Sequence, residues 1–170
     1  MTSTANVSHC DGDARPEWPG RDEYVGDFAG VVRLLDKASE HLRSPAIVLG
    51  VAKQLDKNVL DYEIRICIAG EGTRDPGSLD VVRLSDDRTP EPVRYGRIYN
   101  DGVFKPSRTD PPPEEVKALL RRFAAEPAKM AQAHCRLTGR CCFCNKPLRD
   151  ERSTSVGYGP DCAKNFDMPW

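Results

Sequence analysis

Three features that place many chains in a functional class are missing from this sequence. No run approaches the ~18 consecutive apolar residues of a membrane-spanning helix. The N-terminal segment carries acidic residues and has no apolar core of the kind found in secretory signals. The formal net charge is -1, without the strong basic excess typical of nucleic-acid-binding proteins. We therefore expect a soluble cytoplasmic protein with no membrane partner.

Aromatic residues are also scarce, at 7% of the chain, whereas glycine and proline number 13 and 14. Frequent glycine and proline divide a chain into short elements, so the composition argues against a long helical bundle. The length of 170 residues suits one ordinary domain, or a medium domain with a small one appended. Five of the seven cysteines lie between residues 135 and 162, and in a reducing compartment such crowding indicates metal or thiol chemistry rather than disulfides.

The first two thirds of the chain predict an α+β fold, in which one helix packs on a small antiparallel sheet over residues 24–109. Residues 1–23 are polar and predict a flexible N-terminal arm. A helix begins near Phe28 and repeats apolar side chains at helical spacing as far as Leu42. Strands are predicted at residues 46–51, 60–69, 78–84, 93–99 and 102–105, with Asn100-Asp101-Gly102 as a hairpin turn.

Residues 110–138 predict a proline linker that leads into a helix. Pro113 suits the first helical position, where the N–H that proline lacks would have no partner. Pro127 is expected to kink or restart the helix, and Gly139 is expected to end it. The fold class is therefore α+β, with a helix and a small zinc-binding module, residues 139–170, after the sheet.

The cysteine spacing in residues 139–170 is typical of a small zinc site. Cys141 and Cys144 form a C-x2-C pair, in which a tight turn lets two thiolates meet one ion. Cys162 follows after seventeen intervening residues, a common separation for the second half of such a site. Tyr158-Gly159-Pro160 provides a sharp turn before it. We predict that these three cysteines bind Zn2+ in a structural site and that the module depends on the metal to fold.

A closed structural site requires four ligands, and the sequence leaves the fourth open. Cys142 adjoins a ligand and is sterically awkward, whereas Cys135 and His134 lie on the incoming helix. Asp161 is the other candidate. A redox C-x2-C pair is the alternative interpretation, but it is expected between a strand and a helix of a βαβ unit, which this chain does not predict. No residue is predicted to be catalytic.

The C-terminal stretch also resembles a small cysteine-rich domain of unknown function found in bacteriophage and actinobacterial proteins. The shared pattern is G-x-C-x-x-C-x-x-x-L, then a serine, then G-Y-G-P-x-C-A, and the resemblance covers about a fifth of the chain. It implies a phage or prophage accessory protein and supplies no reaction. Trp170 is expected to pack back on the module. The positions that carry the pattern are Gly139, Cys141, Cys144, Leu148, Ser153, Gly157, Gly159, Pro160, Cys162, Ala163, Pro169 and Trp170.

Three functions follow as hypotheses. The first is a non-enzymatic accessory protein that binds a host protein in the bacterial cytoplasm, with zinc as a scaffold. The second is a zinc protein that binds nucleic acid, with Phe143 and Tyr158 interleaved among the basic residues as stacking groups. The third is a metal-dependent enzyme or nuclease subunit. The candidate nucleic-acid contacts are Arg140, Lys146, Arg149 and Arg152.

Overall fold

The structure, a computed structural model, describes residues 27–54 and 57–170, so the arm predicted at residues 1–23 lies outside the described residues. The described chain confirms the α+β class, with an antiparallel sheet and helices on either side of it in sequence. The helices are α1 (Ala29–Ser39), α2 (Glu114–Ala125), α3 (Pro127–Thr138), α4 (Glu151–Val156) and α5 (Pro160–Asn165). The strands are β1 (Ala46–Gln54), β2 (Lys57–Ile68), β3 (Leu79–Arg83), β4 (Val93–Ile98) and β5 (Phe104–Pro106).

The five strands lie in the order in which they occur along the chain, and every neighbouring pair is antiparallel. Alternate residues of β2 point to the core, because side chains along a strand alternate between its faces. Tyr62, Ile64 and Ile66 are buried, and in the register with β1 Ile64 lies opposite Leu49. The period-2 pattern of the sequence therefore located the buried face of the central strands correctly.

The hairpin predicted at Asn100-Asp101-Gly102 is confirmed between β4 and β5. The N–H of Gly102 donates to the carbonyl of Tyr99 at 2.8 Å, and the N–H of Tyr99 donates to the carbonyl of Val103 at 2.9 Å. Gly102 has φ 81, and a Cβ there would lie 2.5 Å from the backbone nitrogen of Ala29. The turn thus requires glycine at this position for two reasons, its left-handed φ angle and the close approach of α1.

The end of α1 and the helix after the proline linker both differ in detail from the sequence-based prediction. Helix α1 ends at Ser39, before the predicted apolar stripe runs out at Leu42, although the N–H of Leu42 still donates to the carbonyl of Ala38. The helix predicted after the proline linker is two helices. The break falls at Glu126, whose φ of -141 is not helical, and Pro127 restarts the chain as the first residue of α3.

Helix α4 was not predicted from the sequence, because six polar and small residues show no apolar periodicity. The signal that identifies it is Asp150, which precedes the helix and whose side chain accepts a hydrogen bond from the N–H of Ser153 at 2.8 Å. This is the usual N-cap interaction. Hydrogen bonds from the Ser153 hydroxyl and then from its N–H lower the pKa of Asp150.

Replacing Asp150 with alanine should loosen α4, because the first turn would lose its side-chain acceptor. We expect the melting temperature to fall by about 2–4 °C, the size typical of losing one cap in a protein of this length. Glu151→Ala is the matched control, since Glu151 is the next residue and is also acidic and exposed. Equal melting temperatures for the two variants would contradict the role of Asp150.

The C-terminal residues share one continuous core with the sheet. Cys141, Phe143, Tyr158 and Phe166 belong to the same cluster of buried residues as Ile64 and its neighbours in the strands. The four-part division at residues 23, 109 and 138 stays a sequence-based prediction. None of the helices in the described ranges has both the length and the apolar character needed to cross a membrane.

Candidate metal centre

A tight hairpin holds the first two cysteines of the candidate site. The N–H of Cys141 donates to the carbonyl of Lys146 at 3.0 Å, and the N–H of Asn145 donates back to the carbonyl of Cys141 at 2.9 Å. Asn145 takes φ 58, a left-handed angle that asparagine tolerates better than most residues. The turn between these bonds contains Cys144, so the backbone folds the C-x2-C pair onto one side.

The third cysteine reaches the site through α4, a turn and α5. Gly157 ends α4 in a left-handed conformation, with φ 92 and its N–H donating to the carbonyl of Ser153 at 2.8 Å. The chain then turns at Tyr158 and Gly159, and Pro160 is the first residue of α5. Cys162 lies in the first turn of that helix.

The sulfur atoms of Cys141, Cys144 and Cys162 lie within 4.8 Å of one another. Cys141 and Cys162 are buried, whereas Cys144 is exposed. Thiolates at ~2.3 Å from a tetrahedral zinc ion stand ~3.8 Å apart, so these sulfurs are close to the separation that one ion requires. The three residues therefore fit a divalent cation that prefers sulfur, and small local movements would complete the contacts.

The electrostatics of the site favour a thiolate at Cys141. Its pKa is lowered to about 5, first by the hydrogen bond from the Cys162 thiol and then by the backbone N–H groups of Cys144 and Phe143. Burial acts in the opposite direction and is outweighed. The contact with Cys141 raises the pKa of Cys162. Backbone donors around a ligand sulfur offset its negative charge, which a group of thiolates sharing one ion requires.

None of the four candidates for a fourth ligand belongs to this group of sulfur atoms. Asp161 is exposed, and Cys135 is buried on α3. Cys142 is buried completely, its pKa is raised by burial, and its backbone carbonyl accepts a hydrogen bond from Val48. The structure therefore brings together three cysteines that could hold a metal ion and leaves the fourth ligand open, as the sequence did.

His134 has a structural role that the sequence did not indicate. Its Nδ1 accepts a hydrogen bond from the N–H of Gly50 at 3.0 Å, and its Nε2 lies 3.2 Å from the hydroxyl oxygen of Thr138. Both ring nitrogens are thus engaged away from the cysteine group, which argues against His134 as the fourth ligand. Burial lowers the pKa of His134 to about 4, so the ring is neutral at pH 7.

The lowered pKa of His134 makes folding stability depend on pH. The unfolded chain binds a proton at this residue near pH 6.5, but the folded chain binds it only near pH 4. The contribution of the buried ring is therefore present above pH 6.5 and is lost as the pH falls. Between pH 7 and pH 5 we expect a loss of about 2 kcal/mol in the free energy of unfolding.

Urea unfolding of the parent chain and of His134→Gln, at pH 7 and pH 5 and with zinc in excess, tests this expectation. Protonation of the cysteines weakens both proteins alike, so the difference between them isolates the histidine. The glutamine variant should lose about 2 kcal/mol less than the parent chain on acidification. The same pH dependence in both would show that the ring is not the group that titrates.

The basic residues that were predicted to contact nucleic acid are exposed, but the two aromatic residues that were predicted to stack on bases are not. Arg140, Lys146, Arg149 and Arg152 are all exposed. Phe143 and Tyr158 are instead buried, so the expectation that they stack on bases is wrong. Phe143 stacks on Phe166, with 4.2 Å between ring centroids, and the Tyr158 hydroxyl donates to the carbonyl of Pro169 at 2.6 Å.

Trp170 packs back on the module, as expected, and remains 42% exposed. Its ring centroid lies 6.4 Å from that of Tyr158, and the guanidinium carbon of Arg152 lies 4.5 Å from it. An arginine over an indole face is a favourable cation–π contact. The module thus presents an arginine–tryptophan pair at its surface.

The fold and the site define a small α+β protein in which a cysteine hairpin and the first turn of a short helix form a three-thiolate candidate metal centre. Residues 131–167 match the model of a family of unknown function (DUF6011), and the match covers most of α3, the cysteine hairpin, α4 and α5. This match agrees with the small C-terminal domain of unknown function that the sequence pattern resembles. No curated protein and no solved structure matches the chain.

Proposed function

We propose that this protein is a non-enzymatic accessory protein, of phage or prophage origin, that binds a host protein and uses zinc as a structural scaffold. The observation that carries the proposal is the convergence of the sulfur atoms of Cys141, Cys144 and Cys162 within 4.8 Å. Sites built from thiolates alone are typical of structural zinc, whereas catalytic zinc sites commonly include histidine or carboxylate ligands. The phage origin rests on the resemblance of the C-terminal pattern.

A groove beside the metal module supports a protein as the partner. It has a volume of about 690 Å³ and lies between α1, the junction of α2 and α3, and the residues that follow α5. Val31, Leu34, Phe166 and Met168 contribute apolar side chains to its lining, which also includes charged residues of both signs. Because Phe166 follows the helix that holds Cys162, the metal would fix one wall of the groove. A lining that combines apolar side chains with charges of both signs suits a protein segment better than a row of phosphates.

A pull-down from bacterial lysate treated with nuclease tests the proposal. The tagged chain should retain one discrete protein, and Leu34→Glu should reduce the amount at least ~10-fold by placing a charge in an apolar contact. Glu71→Lys is the matched control, because Glu71 is exposed in the turn after β2 and away from the groove. Retention that is unchanged in Leu34→Glu, or that disappears with nuclease, would overturn the choice of partner.

Nucleic acid is the second candidate, favoured by the exposed pair of Trp170 and Arg152. Stacking on an exposed indole, together with basic side chains that contact phosphates, is how many proteins bind single strands. A fluorescent oligo(dT) should then bind with an affinity that falls steeply as salt rises. Charge reversal at Arg149 and Arg152 together should abolish that binding, whereas Glu71→Lys should not. Absence of binding at low salt would remove this candidate.

A metal-dependent enzyme or nuclease subunit makes the opposite prediction about the metal. In that case a chelator would abolish an activity while circular dichroism reported an intact fold. With structural zinc, the chelator melts the C-terminal module. The two outcomes separate the function classes without knowledge of the substrate.

A further inference from the structure

Strand β1 lies at the outer edge of the sheet, and the C-terminal residues cover that edge. The N–H of Val48 donates to the carbonyl of Cys142 at 2.6 Å, and the N–H of Gly50 donates to Nδ1 of His134 at 3.0 Å. These are two alternate residues of β1, whose N–H groups point away from β2. An edge strand with uncovered N–H groups is a template for pairing with another chain.

The segment that is covered has the composition of a strand that pairs readily. Residues 46–51 read AIVLGV, with no charge and no proline. Ile47, Val48, Leu49 and Val51 are all buried. Apolar, β-branched segments of this kind associate edge to edge when they are exposed. The chain therefore carries a strand that would self-associate unless something covers it.

The residue that covers Val48 lies inside the hairpin of the candidate metal centre. Cys142 lies between Cys141 and the rest of the C-x2-C turn, so its carbonyl direction depends on the conformation that the metal holds. We infer that metal bound at Cys141, Cys144 and Cys162 keeps the edge of β1 covered, and that metal loss lets two copies of this chain pair through β1. The inference rests on the structural metal site proposed above.

Two measurements on the full chain test the inference. Before either, elemental analysis establishes whether the purified protein holds stoichiometric metal; without metal, both the inference and the proposed scaffold fail. The protein is then compared before and after dialysis against a chelator. At dilute concentration, where it is monomeric, hydrogen–deuterium exchange at Val48 should accelerate at least ~10-fold, while Val81 on β3 stays protected. Unchanged exchange at β1, or equal acceleration at Val81, would overturn the inference while the metal site stands.

At high concentration, light scattering should report a doubled mass only after metal removal. Ala52→Lys places a charge on β1 itself and should prevent the dimer, since edge lysines oppose strand pairing. Val59→Lys is the matched control, because Val59 is exposed on β2 in the same hairpin and does not lie on the outer edge. A chain that stays monomeric without metal, or a dimer unaffected by Ala52→Lys, would overturn pairing through β1.

Discussion

Cys162→Ser is expected to abolish stoichiometric metal binding and to destabilise the protein by at least ~4 kcal/mol. Serine is a poor ligand for zinc, so two thiolates would remain where three converge. Cys162 is also the only one of the three that comes from outside the hairpin of Cys141 and Cys144. Its loss therefore disconnects α5 from the hairpin as well as weakening the site.

The effect should be large but smaller than in an isolated zinc peptide. Structural zinc contributes ~10–16 kcal/mol of apparent binding free energy in small peptides that are unfolded without metal. Here the hairpin and α5 also bury Phe143 and Phe166 in the common core, so part of the stability of the module comes from packing and not from the metal. We therefore expect a cooperative but earlier unfolding transition, with the C-terminal helices exchanging first.

Cys67→Ser is the matched control for this experiment. Cys67 is half-buried on β2, opposite Ala46 in the register, and lies outside the group of sulfur atoms. It should keep one metal per chain and change stability by less than ~1 kcal/mol. Elemental analysis and urea unfolding measure both variants. Full metal content in Cys162→Ser, or equal losses in the two variants, would refute the assignment of the site.

The parts of the fold that the sequence predicted depend on local signals. The β4–β5 hairpin follows from Asn100-Asp101-Gly102, and the buried face of β2 follows from alternation at Tyr62, Ile64 and Ile66. The convergence of the three cysteines was predicted because residues that share one metal ion must recur at spacings that a tight turn can satisfy. In each case the structural requirement restricts either a few neighbouring residues or the spacing of residues that could share one ion. Such a restriction can be recognised in the sequence.

The parts that the sequence did not reveal depend on contacts between distant residues. The hydrogen bond from Gly50 to His134 joins residues 84 positions apart, and nothing near His134 distinguishes a ring that covers a sheet edge from one that binds metal. Phe143 and Tyr158 stand among charged residues in the sequence, which suggested exposure, yet the fold buries both. Helix α4 is too short to show apolar periodicity, and its one local signal, the N-cap at Asp150, was not recognised in the sequence.

The second large effect concerns Gly157, at the junction between α4 and the turn that leads to Cys162. A Cβ at this position would lie 2.4 Å from both the carbonyl carbon and oxygen of Ala131 on α3. Backbone atoms cannot move aside as the end of a side chain can. Since φ is 92, an alanine would also be strained by its left-handed angle.

Gly157→Ala should therefore force α4 away from α3, with a loss of about 4 kcal/mol from overpacking and backbone strain together. The displacement would also move Cys162 relative to the hairpin, so we expect weaker zinc binding. Two measurements report these effects, urea unfolding with zinc in excess and competition against a chromophoric chelator.

Gly139 offers a control that separates the two causes. It also ends a helix in a left-handed conformation, with φ 71 and its N–H bonded to the carbonyl of Cys135, but nothing lies within 4 Å of the position a Cβ would take. Gly139→Ala should thus cost only the backbone strain, about 1 kcal/mol. If the two alanine variants lose the same stability, close packing of α4 on α3 is not what requires glycine at 157. If Gly157→Ala loses more stability than Gly139→Ala even with zinc in excess, glycine is required at 157 for the packing of α4 on α3 and not only for metal binding.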